Sequence, residues 1–174
     1  MALKSLSLVL GGAASGKSAF AEALVGATGR PRIYIATAQA FDAEMAAKIA
    51  AHQRARGPDW RTVEAPLDPG AALREAKAGE VVLLDCATLW LSNLMLADLD
   101  PALAWEGLAS ALADCPAPVV VVSNEVGLGL VPDTPLGRRF REAQGMLNQR
   151  LAARAELAVL VVAGLPLVLK GRLP

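Results

Sequence analysis

The chain has 174 residues, no net formal charge and few aromatic residues, 4% of the total. This composition argues against a nucleic-acid-binding surface, which normally needs a basic patch and aromatic rings that stack on bases. A single domain of residues 1–174 is expected from the length, and an apolar fraction of 54% is typical of strands that helices cover on both faces.

Neither a membrane span nor a disulfide framework is expected. No apolar run reaches the roughly 18 residues of a transmembrane helix, and no charged segment followed by an apolar one stands at the start. Cys86 and Cys115 both stand beside apolar runs, which favours free thiols in a reducing compartment. We therefore expect a soluble, cytoplasmic protein.

The first element in chain order is an apolar strand at residues 6–10, which leads into a glycine-rich loop and a helix at residues 18–24. The loop matches the pattern G-x-x-x-x-G-K-[ST], in which backbone N–H groups and the helix N-terminus bind phosphate oxygens. Lys17 would lie along the β- and γ-phosphates, and the hydroxyl of Ser18 would bind Mg²⁺. A glycine-rich turn with a chance lysine is the alternative, but the flanking strand and helix favour a nucleotide site. The residues of this predicted phosphate loop are Gly11, Gly12, Ala13, Ala14, Ser15, Gly16, Lys17 and Ser18.

The only histidine follows the second predicted strand, residues 32–36, on a predicted helix at residues 43–56. His52 shares an apolar face of that helix with Met45 and Ile49, and a histidine in such a place is more often packed than catalytic. However, the strand before it should end at the nucleotide edge of the sheet, and a neutral imidazole can attack phosphorus. Arg54 and Arg56 would screen phosphate charge or form a solvated helix end. Both interpretations of His52 stay open on these grounds.

A short extended segment at residues 61–64 and a helix from Asp68-Pro69 to Gly79 come next, followed by an apolar strand at residues 81–85. This strand ends in Asp85, where phosphate-loop enzymes place an acid that orients Mg²⁺. A helix cap or a surface carboxylate is the alternative, but the phosphate loop in the same chain favours the metal role.

The rest of the chain continues to alternate between predicted helices and strands. Helices are predicted at residues 87–97 and 101–114, a strand at 119–122, a glycine- and proline-containing loop at 127–135 and a long helix at 136–155. A strand at 157–163 is followed by a turn at Gly164-Leu165-Pro166 and by a final strand at 167–170. The last connection is too short for a crossover, so the final strand should be antiparallel and at an edge. The fold class expected is α/β, with three layers around a mainly parallel sheet.

Beyond the phosphate loop, further blocks of the sequence form a specific pattern. They are Tyr34-Ile35-Ala36-Thr37-Ala38, Lys48-Ile49-x-x-His52, Leu84-Asp85-Cys86, Ser123-Asn124-Glu125-Val126-Gly127 and Asn148-Gln149. With these blocks, the chain resembles the bifunctional adenosylcobinamide kinase / adenosylcobinamide-phosphate guanylyltransferase family of cobalamin biosynthesis. The phosphate loop alone is generic, whereas the Asn-Glu-Val-Gly segment, the Asn-Gln helix and a histidine at this spacing are specific.

The resemblance implies two successive reactions. A nucleoside triphosphate, ATP or GTP, phosphorylates the aminopropanol hydroxyl of adenosylcobinamide, with Mg²⁺ as cofactor. The histidine matched by His52 then attacks the α-phosphate of GTP and passes GMP to adenosylcobinamide phosphate, giving adenosylcobinamide-GDP. The resemblance also implies a RecA-like phosphate-loop fold and a homotrimer.

The resemblance further implies nucleotide contacts outside the phosphate loop. These residues are Ala36, Thr37, Ala38, Gln53, Arg54, Arg56, Glu64, Asp85 and Cys86. His52 and Lys17 are the catalytic candidates, and Ser18 and Asp85 are the candidate metal ligands. Ala14 stands where the family commonly has an arginine, so a contact from that arginine is not expected here.

Two other functions remain open on the sequence. A small-metabolite kinase would use the phosphate loop alone, with His52 packed in the structure. A nucleotide-dependent switch or nucleic-acid ATPase would need a basic face, against which the zero net charge counts.

Overall fold

The structure, a computed structural model, describes residues 3, 5–40, 47, 57 and 59–174. The helix predicted at residues 43–56 lies outside the described residues. The described elements, in chain order, are β1 (Leu6–Gly11), α1 (Lys17–Gly26), β2 (Arg32–Ala36), β3 (Trp60–Glu64), α2 (Pro69–Arg74), β4 (Val81–Asp85), α3 (Ala87–Leu96), α4 (Pro101–Asp114), β5 (Val119–Asn124), α5 (Pro135–Arg154), β6 (Leu157–Val162) and β7 (Leu165–Lys170).

The seven strands that the structure describes form one sheet in the order β3-β2-β4-β5-β1-β6-β7. The first six in that order are parallel, and β7 pairs antiparallel with β6 at the edge. Because parallel strands end at the same edge of a sheet, the loops that follow β1, β2, β3, β4 and β5 share one side of the molecule. The predicted parallel α/β fold with an antiparallel C-terminal strand is confirmed.

Helices cover both faces of the sheet, as the apolar strands predict. On one face Val9, Leu83 and Val122 pack against Ala21 and Val25 of α1. On the other face, alternate residues of the same strands pack against α2, α3, α4 and α5 in a larger core. Strands buried on both sides need near-continuous apolar runs, which β1, β4 and β5 have.

Several boundaries differ from the prediction, most by one or two residues, and two of the differences have a structural cause. Helix α2 starts as expected, with Asp68 Oδ1 accepting from the N–H of Ala71, but it ends at Arg74 and not at Gly79. A tight turn replaces its last residues, since Glu80 N–H donates to the Lys77 carbonyl and the Glu80 carboxylate accepts from the Lys77 N–H at 2.7 Å. This turn lets the chain enter β4 directly.

The second difference concerns the hairpin between β6 and β7. Its turn is Ala163-Gly164, both with positive φ (51° and 77°), so β7 already begins at Leu165. A two-residue hairpin turn of type I′ has positive φ at both positions, which matches the twist of the strands on either side. The predicted turn at Gly164-Leu165-Pro166 was therefore placed too late.

Two further expectations concern the cysteines and membrane-spanning helices. Cys86 and Cys115 are free thiols, as predicted. Within the described part of the chain, no helix combines the length and the apolar character needed to cross a bilayer.

Candidate active site

The phosphate loop connects β1 to α1 at the common edge of the sheet. Ala14 and Gly16 both have left-handed backbone conformations, with φ of 54° and 91°. The N–H of Ser15 donates to the Gly12 carbonyl at 3.3 Å, and α1 begins directly after Gly16. The chain thus curls around the N-terminus of α1, where N–H groups without helical partners favour anions. This is the conformation that the sequence pattern predicts.

The hairpin between β6 and β7 supports this loop from behind. The N–H of Gly164 donates to the Ser15 carbonyl at 2.8 Å. A Cβ on Gly16 would stand 3.1 Å from the Gly164 Cα, so the two backbones touch where both residues are glycine. From the sequence, Gly164 is predicted only as a turn residue, because nothing local indicates a contact with a loop so distant in the chain.

Lys17 is the first residue of α1 and lies at the mouth of the loop. Its ammonium donates to the Gly12 carbonyl at 3.1 Å. The same positive charge is close enough to Cys86 to act against the rise in the pKa of that thiol. Lys17 is therefore placed between the phosphate loop and the end of β4, as a lysine that binds the outer phosphates should be.

Asp85 ends β4 and receives a hydrogen bond that the sequence analysis missed. The hydroxyl of Tyr34, on β2, donates to Asp85 Oδ2 at 3.1 Å. Side chains alternate along β4, so Asp85 follows Leu83 on the face that α1 covers. Asp85 and the start of α1 consequently share one face and one edge of the sheet.

The donor set at this edge fits Mg²⁺. A carboxylate from Asp85 and a hydroxyl from Ser18 are oxygen ligands of the kind that Mg²⁺ prefers, with the other positions left to water and substrate phosphates. Among the residues that the structure describes, no group of three or more His, Cys, Asp or Glu side chains could hold a metal by itself. A site of two protein oxygens completed by a nucleotide agrees with that finding.

Thr37 and Asn93 fix the neighbouring chain segments. The Thr37 hydroxyl donates to the Cys86 carbonyl and accepts from the Cys86 N–H, both at 2.8 Å. The Thr37 carbonyl in turn accepts from Asn93 Nδ2 at 2.7 Å, and its N–H donates to the Asp85 carbonyl. All the polar groups of Thr37 are thus used within the protein, in holding the end of β2 against the start of α3.

Cys86 is buried at the N-cap of α3, where its Sγ accepts from the N–H of Leu89 at 3.4 Å. Burial, and after it the nearby Asp85 carboxylate, raises the pKa of the thiol to about 11. The thiol is therefore protonated at neutral pH and is not a nucleophile there.

The other predicted residues fall into two groups. Ala36 and Ala38 end β2 and begin the next loop, and Glu64 ends β3 as an exposed residue in register with Ala36. The described structure thus brings the phosphate loop, residues 36–38, Glu64 and Asp85 to the same edge. His52, Gln53, Arg54 and Arg56 lie outside the described residues, and their roles stay predictions.

Comparisons with known proteins agree with this site. The family described as "Cobinamide kinase / cobinamide phosphate guanyltransferase" matches residues 7–169. The chain is 50% identical over 169 residues to the bifunctional adenosylcobalamin biosynthesis protein CobP of Pseudomonas aeruginosa. The aligned region covers 94% of this chain and 96% of that protein. The chain is 42% identical over 180 residues to the bifunctional adenosylcobalamin biosynthesis protein CobU of Escherichia coli, covering 94% and 98%.

A solved structure supports the fold alone. An ATPase from the type III secretion system of pathogenic bacteria superposes with a TM-score of 0.57 at 11% identity, over 91% of this chain and 52% of that one. The likeness concerns the fold, a mainly parallel sheet with helices on both faces, and agrees with the predicted RecA-like phosphate-loop fold. From the family match, the full-length relatives and the geometry of the phosphate loop, the chain belongs to the bifunctional cobinamide kinase / cobinamide phosphate guanyltransferase family.

Proposed function

We propose that this chain phosphorylates adenosylcobinamide with a nucleoside triphosphate and then transfers GMP from GTP to the product through a His52–GMP intermediate. One observation carries the proposal: the phosphate loop and Asp85 lie on the same face of the sheet and at the same edge. The chain also matches the bifunctional family over nearly its full length. Mg²⁺ at Ser18 and Asp85 would neutralise charge on the phosphates.

In the first reaction the substrate hydroxyl attacks the γ-phosphorus and the nucleoside diphosphate leaves. Transfers of this kind depend mainly on positioning and on charge stabilisation. The N–H groups of the curled loop and the Lys17 ammonium supply both, because they surround the place where the outer phosphates bind. The hydrogen bond from Lys17 to Gly12 keeps the lysine near that place.

In the second reaction an imidazole nitrogen of His52 attacks the α-phosphorus of GTP, and pyrophosphate leaves. A phosphate oxygen of adenosylcobinamide phosphate then attacks the same phosphorus, and the P–N bond breaks. The assignment of His52 rests on the family resemblance and on its place after β2, whose C-terminal end lies at the nucleotide edge.

Covalent labelling tests the proposal. Incubation with Mg²⁺ and GTP labelled at the α-phosphate should leave label on the protein that is stable in alkali and labile in acid. A His52→Ala variant should lose the label while retaining transfer of the γ-phosphate. A protein that transfers γ-phosphate without forming the covalent adduct would be a plain kinase, and His52 would then be structural. Binding to nucleic acid at low salt would instead support the nucleic-acid ATPase alternative.

We propose that the corrinoid acceptor binds to the loop after β5, because of the position of this loop and its exposed apolar surface. The loop leaves the sheet beside the phosphate loop, where the N–H of Glu125 donates to the Gly11 carbonyl at 3.0 Å. Its side chains Leu128 and Leu130 are 87% and 96% exposed, and Val131 is also exposed. An open cavity of about 580 Å³ between this loop and α5 offers apolar and polar groups together, as a corrin ring with methyl and amide substituents requires.

The loop keeps its shape although its apolar side chains face outward. Arg138 donates to the carbonyls of Pro132 and Asp133 at 3.0 and 2.7 Å. Arg141 donates to the carbonyls of Leu130 and Gly127. Two arginines of α5 therefore hold the loop by its backbone, which leaves the leucine side chains available to a ligand.

A homotrimer and a cytoplasmic location are also part of the proposal. Strand β7 is exposed along its whole length although it carries four apolar residues besides Pro166, and Leu165 and Leu167 are among the most exposed. An apolar edge strand that remains open to water favours association. Light scattering of the purified protein tests the subunit number.

A further inference from the structure

Asn124 occupies a central position at the candidate active site to which no role has been given. It is the last residue of β5, the strand that lies between β4, which ends in Asp85, and β1, which leads into the phosphate loop. It is in register with Gly11, and the next residue, Glu125, donates from its N–H to the Gly11 carbonyl. Asn124 is therefore directly beside the start of the phosphate loop.

The side chain of Asn124 is on the same face as the phosphate site. Val120 and Val122 of β5 pack against α1, and alternation along the strand puts Asn124 on that face too. Asp85 reaches the same face from the neighbouring strand. The residue before Asn124, Ser123, points to the opposite side.

Two partly buried hydrogen bonds hold the backbone of Asn124 on both sides, and a buried network lies behind them. Its N–H donates to Thr88 Oγ1 at 2.7 Å, and its carbonyl accepts from Asn148 Nδ2 at 3.0 Å. Asn148 Oδ1 in turn accepts from the Ser123 hydroxyl at 2.6 Å and from Gln144 Nε2 at 2.9 Å. Polar groups buried in this way favour one arrangement over others, so the network holds the end of β5 in a defined position.

The carboxamide that this network positions is incompletely paired. The Oδ1 atom of Asn124 is shielded from solvent, yet it accepts no hydrogen bond from any residue that the structure describes. A shielded acceptor without a donor is unfavourable, and a ligand that brings a donor relieves it. The phosphate oxygens of a nucleotide cannot do so, whereas the hydroxyl group of a phosphoryl acceptor can.

We propose that Asn124 is a catalytic residue of the kinase reaction, in which its Oδ1 accepts a hydrogen bond from the attacking hydroxyl of the alcohol substrate and aims that oxygen at the γ-phosphorus. The inference rests on the kinase half of the proposed function. The O–P bond to the alcohol forms, the bond from the γ-phosphorus to the bridging oxygen breaks, and its electron pair leaves with the nucleoside diphosphate. The amide is too weak a base to take the proton, which passes through a phosphate oxygen to water.

This role is specific for one of the two reactions. The γ-phosphorus is the reacting centre only in the kinase step, since in the guanylyl step it departs within pyrophosphate. Orientation of a hydroxyl by Asn124 should therefore affect phosphorylation and leave the formation of covalent GMP unchanged. A residue that only supported the fold or the nucleotide would affect both steps.

Asn124→Ala is the decisive variant. Three quantities are measured: kcat for transfer of γ-phosphate to adenosylcobinamide at saturating nucleotide, the KM for nucleotide, and the rate of covalent labelling by α-labelled GTP without a corrinoid. The expected result is a fall in kinase kcat of about 100-fold, with the KM and the labelling rate within about threefold of the parent. An unchanged kinase kcat, or an equal loss in both reactions, would overturn the assignment.

Asn124→Leu keeps roughly the size of the side chain and covers the case in which the alanine variant does not fold. Leucine removes the acceptor for the hydroxyl and adds no charge beside the phosphates, so kinase kcat should fall at least about tenfold while covalent labelling continues. Parental kinase activity in this variant would contradict the proposal. If the parent protein itself transfers no γ-phosphate, the proposed kinase function fails, which is a separate outcome from failure of the Asn124 assignment.

Discussion

The N–H of Gly164 donates a 2.8 Å hydrogen bond to the carbonyl of Ser15, so the hairpin at one edge of the sheet is joined to the phosphate loop. The two segments are far apart in the chain, and their close approach depends on Gly16, where a Cβ would stand 3.1 Å from the Gly164 Cα. The phosphate loop is therefore supported by tertiary structure as well as by its own sequence.

Gly16→Ala should damage the site through this contact. The left-handed φ of 91° destabilises any residue with a Cβ by about 1–2 kcal/mol, and the new methyl would press on the Gly164 Cα at 3.1 Å. We expect a lower thermal midpoint and weaker nucleotide binding by calorimetry. Gly26→Ala is the matched control, because a Cβ there meets no atom within 4 Å. Parental binding by the Gly16 variant would show that the loop adapts.

Lys17→Ala should reduce both reactions, since each needs the triphosphate in the same place. Loss of a positive charge beside developing charge on the phosphates is expected to lower kcat about 100-fold or more. The measurement is γ-phosphate transfer and covalent labelling with the same preparation. A variant that labels itself with GMP as fast as the parent would contradict the placement of Lys17.

Tyr34→Phe tests the carboxylate that is proposed to bind Mg²⁺. Removing the hydroxyl leaves Asp85 Oδ2 without its 3.1 Å donor, and partners of metal ligands typically change metal affinity by about 10–100-fold. We expect a higher Mg²⁺ concentration at half-maximal activity, while Asp85→Ala should abolish the Mg²⁺-dependent activity. An unchanged Mg²⁺ titration in both variants would mean that Asp85 is only a strand-end residue.

The raised pKa of Cys86 predicts a loss of stability at high pH. In the unfolded chain this thiol ionises near its ordinary value of 9.0, whereas in the folded protein its pKa is about 11. Its contribution to stability is thus fully present below about pH 9 and is lost as the pH rises from there toward 11. The free energy of unfolding, measured by urea titration from pH 8 to 11, should fall less steeply in Cys86→Ser. Equal slopes in the two proteins would contradict the buried thiol.

Leu130→Ser tests the corrinoid surface. Removal of an exposed apolar side chain from the loop should raise the KM for adenosylcobinamide by about tenfold and leave covalent labelling by GTP unchanged. Leu103→Ser is the control, because Leu103 is equally apolar and 74% exposed but lies on α4. A similar KM in both variants would remove the loop from the acceptor site.

Most of the fold could be predicted because its strands are apolar runs closed by turn residues. A buried parallel sheet is the one plausible place for the four valines at residues 119–122 and for the apolar run before Asp85. Because such strands end at a common edge, the position of Asp85 could be predicted as well. The end of α2 could not be predicted, since Glu75-Ala76-Lys77-Ala78 favours a helix locally. The turn between Lys77 and Glu80 prevails over that propensity.

The parts of the site that the sequence did not reveal are contacts between distant segments. The bond from Tyr34 to Asp85 joins two neighbouring strands whose pairing order is a property of the whole sheet. The clamp around Asn124 combines α3, β5 and α5 in the same way. A motif predicts which chemistry a segment can perform, but the partners that orient its groups are known only once the strands are in order.

The position of β5 has a consequence for the size of the substrate. Neighbouring strands of a sheet are about 4.8 Å apart, so the ends of β1 and β4, with β5 between them, are roughly 10 Å apart. A lone phosphate is too short to reach from one to the other, whereas a polyphosphate chain carrying a hydrated divalent cation is long enough. Under the proposed function, the order of these three strands therefore favours a nucleoside triphosphate over a single phosphate as the bound anion.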